Sequence, residues 1–156
     1  MYRKVEDFLA EWKNASAGTL NAMKAIPTEK MDVAIVEGHN SLGWLAWHLV
    51  SVGAAFGQFA GLQIPGPGAD MKQPETMEEI VTFYEQVQQA FLNEATALTD
   101  EQLVEMVAVF GSEMPRGQLL RKLIDHQTHH RGQMTVLIRQ AGLPVPAIMG
   151  PTKEMM

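Results

Sequence analysis

The stretch HQTHHRGQ, residues 126–133, places three of the chain's five histidines within five positions: His126, His129 and His130. An imidazole can donate or accept a hydrogen bond, titrate near neutral pH, or ligate a metal such as zinc. On a helix, residues four apart stand one turn above each other, with Cβ atoms roughly 5–6 Å apart. His126 and His130 have that spacing, so both rings can reach one ion at metal–nitrogen distances of about 2.0–2.1 Å. The chain has no cysteine. Disulfides and thiolate ligands are therefore excluded, and a transition-metal site must be built from histidines and carboxylates.

Which rings face inward follows from the helices that carry them. A helix turns about 100° per residue. With Leu123 as reference, Leu119, Leu137 and Ala141 lie within about 40°, and Leu120 and Ile138 at about 60° on one flank. On the other flank His130 falls at about 20° and His126 at about 60°, both on the apolar stripe, while His129 falls near 120°, at its edge or beyond. On an earlier helix, taking Leu45 as reference, Leu49, Val52, Phe56 and Phe59 lie within about 40° and His48 at about 60°. His39 precedes that helix and has no reason to point inward.

One inward histidine on one helix and two on another make a three-histidine facial site when the helices lie side by side. Three protein ligands leave a position for water or substrate, the pattern of a catalytic metal centre. The competing arrangement is neutral imidazoles bonded to one another or to backbone carbonyls. A lone histidine on an apolar face is commonly such a core residue, and two histidines four apart arise by chance. Three buried rings, however, each need partners for two nitrogens, on helices whose backbone groups are already engaged. A metal takes one nitrogen from each ring at once.

Other chemistries fit less well. A di-iron bundle needs Glu-x-x-His on two helices, but Leu123 and Leu45 stand three residues before His126 and His48. HExxH, a phosphate-binding glycine loop and GxSxG are absent, and Ser41, Ser51 and Ser112 have no visible base. Asp125 is either an acceptor for a ligand's free N–H or a solvated carboxylate. Arg131 and Arg139 either hold an anionic substrate or lie solvated on the helix surface. Trp44, on the His48 side, lines a pocket or packs; Trp47 points away from the stripe, under a loop or against another subunit. Gly132, also facing away, either admits another helix or is a tolerated weak spot.

The elements that position these residues read as helical nearly throughout. Val5, Phe8, Leu9, Trp12, Leu20 and Met23 predict a first helix over about residues 2–25, stopped by Pro27. A loop over roughly 26–39 leads to Asn40 or Ser41 as cap of the second helix, and a connector of about 62–75 contains IPGPGAD. Thr76 and Glu79 form a capping box ahead of a third helix, striped by Ile80, Tyr84, Val87, Phe91 and Leu98. Thr99 and Gln102 suggest a second box opening a short helix. MVAVFGSEM reads as an extended connector or a frayed turn. Met114-Pro115 opens the last helix, which runs to about Ala141 and is stopped by Gly142, Pro144 and Pro146, with a loose tail beyond. The fold class is therefore all-α: one domain over 1–156, a four-helix bundle with one extra short helix. The long connector makes helices two and three parallel.

Composition agrees. The chain has 156 residues, 46% of them apolar and 19% charged, the balance of a globular domain. Its formal charge is −6 with 12 Lys and Arg, which argues against nucleic acid as a partner. The N-terminus MYRKVEDFLAEW lacks an apolar signal core. Residues 38–69 carry no Lys, Arg, Asp or Glu, yet they hold His39, His48, Gln58 and Gln63, and read as a helix buried in a soluble bundle, not a membrane span. A cytoplasmic protein is the expectation.

SLGWLAWHLV around His48 and LIDHQTHHRGQMTVLIRQAGLPVP from Leu123 to Pro146, about 78 residues apart between the histidines, resemble the DinB family, the DinB/YfiT-like metalloenzymes. The resemblance implies a four-helix bundle in up-down-down-up order, usually dimeric. It also implies a divalent metal, zinc or nickel, held by His48, His126 and His130, with His129 a non-ligating neighbour. Characterised members are thiol-dependent, transferring a low-molecular-weight thiol to an electrophilic small molecule or isomerising with one. Metal-dependent thiol transfer is therefore the first expectation, with the thiol as cosubstrate and a small electrophile as partner. A metal-dependent hydrolase and a non-catalytic metal-binding homodimer are the alternatives.

Overall fold

The computed structural model describes residues 1–68 and 70–156. Four long helices dominate it: α1 (Val5–Lys24), α2 (Leu42–Phe59), α3 (Met77–Glu94) and α4 (Arg116–Gln140). α1 packs against α3 and α4, and so does α2. Short 3-10 turns lie at Thr28–Lys30, Ala95–Ala97, Glu101–Val104 and Lys153–Met155. Among the described residues no helix is long and apolar enough to cross a membrane. The core holds Phe8, Trp12, Met23, Leu49, Ile80, Tyr84, Phe91, Leu119, Leu123 and Ile138, all fully buried. Trp12 and Phe91 lie 4.6 Å apart between ring centres.

The helix starts are fixed by side chains. Ser41 accepts a hydrogen bond from Trp44 N at 3.2 Å, satisfying one orphan amide of α2. Two more amides there, of Leu42 and Gly43, donate to Val33 O and Met31 O at 2.9 and 2.8 Å, folding the preceding loop over the helix end. Thr76 Oγ1 accepts from Glu79 N at 3.3 Å, one half of the expected box, but its hydroxyl donates to the Glu79 carboxylate. The second box is fully reciprocal: Thr99 N donates to Gln102 Oε1 and Gln102 N to Thr99 Oγ1. It opens the 3-10 turn at Glu101–Val104. α1 has no cap of its own; Asp100 accepts from Val5 N at 2.9 Å across the sequence.

Three expectations are corrected. MVAVFGSEM is neither connector nor frayed turn but an antiparallel hairpin, β1 (Met106–Val109) and β2 (Ser112–Pro115). The fold is therefore mostly helical with a small sheet, not purely α. Phe110 and Gly111 have φ of +47° and +77°, the two positive values a two-residue type I′ hairpin turn needs. Val107 and Val109 alternate inward, and the exposed Phe110 ring meets Phe59 of α2 at 4.8 Å. The second correction concerns the tail, which is fastened. Gly142 N donates to Arg139 O and Leu143 N to Ile138 O, with Gly142 at φ +76°. This is the Schellman arrangement at a helix end. Val145 beyond it is buried, and Glu154 pairs with Arg139 at 2.7 Å.

The third correction is the face of α2. Val52, Phe56 and Phe59 are only half-buried, whereas Ala46, Val50, Gly53, Ala54 and Gly57 are buried. The buried face thus centres about 80° round from Leu45, on the side where small residues admit α3 and α4. A Cβ on Gly57 would come 2.2 Å from Ile64 Cγ1, and one on Gly53 3.4 Å from Val87. An apolar stripe weighted by large residues misses a face built from small ones.

Candidate metal centre

His48 on α2 and His126 and His130 on α4 converge at the seam between the two helices. All three are half-buried, not fully enclosed as the stripe positions suggested. His126 and His130 lie on the shoulder of α4, and His48 stands about 140° from the centre of the face that α2 buries. His126 Nε2 is 3.3 Å from His48 Nε2 and 3.2 Å from His130 Nε2. Three nitrogens at about 2.05 Å from one ion, near the tetrahedral angle, would stand roughly 3.3 Å apart. Both separations from His126 match, and the ligating nitrogens of all three rings lie within 4.8 Å of one another. Neutral rings satisfy this geometry poorly. Each Nε2 offers one N–H or one lone pair, so the central one makes a single good bond while two neighbours press on it. A cation accepts the lone pairs together.

The charge state of the rings favours the same use. Burial, then the nearby His130, His48 and His129, pushes the His126 imidazole down to about 4. Burial and then His130 lower His48 as well. Both rings are neutral at pH 7, with lone pairs free to ligate.

Neighbours orient the ligands. His130 Nδ1 donates to Gln133 Oε1 at 2.7 Å, which leaves its Nε2 unprotonated and directed at the centre. The Gln133 amide N–H in turn donates to His129 Nε2 at 3.4 Å. His129 itself is exposed and stands outside the trio. Trp44 stacks on His48 with ring centres 4.6 Å apart and planes 12° from parallel, and Phe56 lies 5.8 Å from His126. These two aromatics wall the site on the α2 side. His126 Nδ1 is buried and lacks a hydrogen-bond partner among the described residues.

Behind the histidines lies a buried polar network. Gln127, fully buried, accepts from Tyr84 Oη at 2.8 Å and Thr19 Oγ1 at 3.2 Å, and donates to Leu49 O at 3.5 Å. Gln127 adjoins His126 and Leu49 adjoins His48, so this contact joins the backbones of two ligands. Arg131 is 3% exposed. It donates to Ala15 O at 2.6 Å, Thr19 Oγ1 at 3.3 Å and Thr128 Oγ1 at 3.4 Å.

Several sequence readings change here. Arg131 is neither solvated nor a substrate clamp but a clip between α1 and α4, and Arg139 is engaged by Glu154. Asp125 does not support a ligand; it pairs with Arg121 at 2.6 Å. Trp47 packs edge-on against Phe83 of α3 at 5.4 Å, within the chain. Gly132 is exposed, with nothing within 4 Å of a Cβ built on it. Sequence reasoning missed Gln127 and Gln133. The first was detectable as a polar residue about 40° from Leu123 on an apolar stripe; the second as an amide one turn beyond a ligand candidate.

A mostly helical protein with a possible three-imidazole metal centre between two helices is the class that fold and site define. The chain belongs to the DinB family, whose model matches residues 1–156. It is 37% identical over 155 residues to the uncharacterized protein YrdA of Bacillus subtilis, covering 99% of this chain and 93% of that one. A crystal structure of a DinB-like protein from Bacillus cereus superposes with a TM-score of 0.89 at 37% identity, covering 95% of this chain and 99% of that one. A DinB-like protein of Bacillus subtilis, YjoA, shares the fold at 17% identity, with a TM-score of 0.74 over 93% of this chain and 99% of that one.

Proposed function

We propose that this chain is a metal-dependent enzyme that transfers a low-molecular-weight thiol to an electrophilic small molecule. In this reading His48, His126 and His130 hold one divalent ion, zinc or nickel. The observation that carries it is the convergence of three imidazole nitrogens, all within 4.8 Å of one another, on a half-open seam. Membership of the DinB family supports it. A divalent ion bound by three neutral imidazoles keeps its positive charge and an open position, and so acidifies a thiol that binds there.

The chain's own groups do the rest. Gln133 holds His130 in the ligating tautomer. Trp44 and Phe56 exclude water from one side. His126 and His48 would have their lone pairs committed to the ion, so neither takes the thiol proton, which leaves to solvent. The sulfur forms a bond to the electrophilic carbon, and the leaving group departs with its electron pair.

The reading carries the helix order up-down-down-up. Three pairings support it. Ala60, at the end of α2, accepts from Arg116 at the start of α4. Trp12 of α1 donates to Gln88 O of α3, while Lys24 further along α1 pairs with the earlier Glu85. Tyr2 meets Gly117 and Thr19 meets Gln127, so α1 and α4 advance together.

Elemental analysis of the purified protein tests the site, with one zinc or nickel per chain expected and background metal in His48→Ala. Turnover of monochlorobimane with cysteine, in zinc-loaded and chelator-stripped protein, tests the chemistry. A folded protein that takes up no divalent metal overturns the reading. Full occupancy without thiol transfer turns it to a metal-dependent hydrolase or a non-catalytic metal-binding dimer.

A further inference from the structure

A pocket of about 330 Å³ lies between the loop ahead of α2 and the C-terminal half of α4. Its walls are Ile35, Leu45, Val136 and Leu137, with His39 and Gln133 among its polar lining. Two relationships tie it to the histidine trio. Gln133 lines the pocket and also bonds His130 Nδ1. Leu45 lines it and precedes His48 by three residues on the same helix, one turn away.

The pocket's chemistry is one-sided. Among the described residues, no Lys, Arg, Asp or Glu lines it. Ile35 and Val136 are 51% and 50% exposed, so the pocket has open apolar walls that only a ligand of matching character covers well. A charged group placed there would shed its hydration against Leu45 and Leu137 with no Lys, Arg, Asp or Glu to meet it. The volume is at the small end of ligand pockets, about 300–1,000 Å³.

We infer that this pocket binds the apolar body of an uncharged small molecule, with the molecule's one polar, reactive end toward Gln133, the residue that bonds His130. The inference rests on the proposed function for one point only: there the ligand is the electrophile, not the thiol. A thiol bearing carboxylates finds no Lys or Arg on these walls, so it would reach the histidines by another route. The pocket thereby selects for an apolar electrophile and against an anionic one.

The test uses two naphthalene dyes of opposite character, uncharged prodan and anionic 1-anilinonaphthalene-8-sulfonate, with the full-length protein both zinc-loaded and metal-free. Saturable 1:1 binding of prodan is expected, at least tenfold tighter than the sulfonate. Val136→Glu and, on the opposite wall, Ile35→Glu should each weaken prodan at least tenfold while zinc content and melting temperature stay unchanged. Both sites are half-exposed, where substitutions are well tolerated. In turnover with cysteine, the same variants should raise the KM for monochlorobimane about tenfold and leave kcat near its starting value. Prodan binding that is absent, indifferent to both substitutions, or weaker than that of the sulfonate overturns the inference. Zinc content decides the metal reading separately. Prodan bound by a chain that takes no zinc sinks the proposed function and leaves the pocket's ligand class standing.

Discussion

The side-chain oxygen of Gln133 sits 2.7 Å from His130 Nδ1, where many metal-ligating histidines have a carboxylate or backbone carbonyl. An amide oxygen fixes the tautomer without adding charge, so an ion held there would keep its full positive charge. Gln133→Leu removes the acceptor from a half-exposed ligand and leaves the core untouched. Zinc affinity should fall about 10–100-fold, read by competition with a chromophoric chelator. Gln133→Glu should restore it, and the melting temperature of the metal-free protein should not move in either variant.

Gln127 makes a different prediction, because it is buried among three helices. Replacing it with Leu strips Tyr84 Oη of an acceptor in a site closed to water. A buried polar group left without a partner costs about 1–3 kcal/mol. Urea denaturation of Gln127→Leu should show a loss of that size. Adding Tyr84→Phe should recover a good part of it, since removing both partners of a buried hydrogen bond is far less costly than removing one. If the double variant is as unstable as the sum of the two single ones, the network is not the source.

Acid should destabilise the metal-free protein through the histidines of the candidate site. His126 is held down to about 4 against an ordinary 6.5, and His48 shifts in the same direction. Between those two values the unfolded chain binds more protons than the folded one, so stability rises with pH across that window. It is fully present above about 6.5 and is lost as pH falls towards 4. Carboxylates titrate in the lower part of the window too, so the comparison is with His126→Leu. The variant should show a flatter dependence of urea midpoint on pH between 7 and 4.5, and parallel curves would refute the assignment.

The histidine trio was legible because its signal is local. Four-residue spacing on α4 fixes the directions of His126 and His130 to within a few tens of degrees, whatever the helices pack against, whereas the α2 stripe that points to His48 lies about 80° from the face the fold buries. Capping was legible for the same reason, at Ser41 and at Thr99 with Gln102. What escaped depended on partners distant in sequence. Arg131 reads as a surface residue until Ala15 O and Thr19 are placed beside it. Gly53 and Gly57 carry no packing signal until Val87 and Phe91 are placed beside them. The hairpin turns on Phe110-Gly111, which lacks the Asn-Gly or Asp-Gly signature; only its alternating valines hinted at a strand. The tail looked loose because its anchors, Val145 and Glu154, work through packing and a single ion pair with Arg139.

Two glycines of α4 should respond to alanine with opposite signs. At Gly132 a Cβ meets nothing within 4 Å and the residue is exposed in mid-helix. Alanine there removes backbone freedom from the unfolded chain without straining the helix, and should stabilise by about 0.5–1 kcal/mol. At Gly117 a Cβ would stand 2.2 Å from Tyr2 O and 3.2 Å from Leu103 O. Those are backbone atoms, and Tyr2 N is itself bonded to Gly117 O at 3.0 Å, so the N-terminal segment must move away bodily. Gly117→Ala should therefore cost about 1–3 kcal/mol, as overpacking does, and release Tyr2 from its buried position. Urea midpoints separate the two, and Tyr2 amide exchange reports the release. The α4 histidines lie about two and a half turns or more from Gly117, so zinc affinity should hold in Gly117→Ala even as stability falls. A coupled loss of both would mean that the N-terminal docking of α1 on α4 sets the ligand geometry.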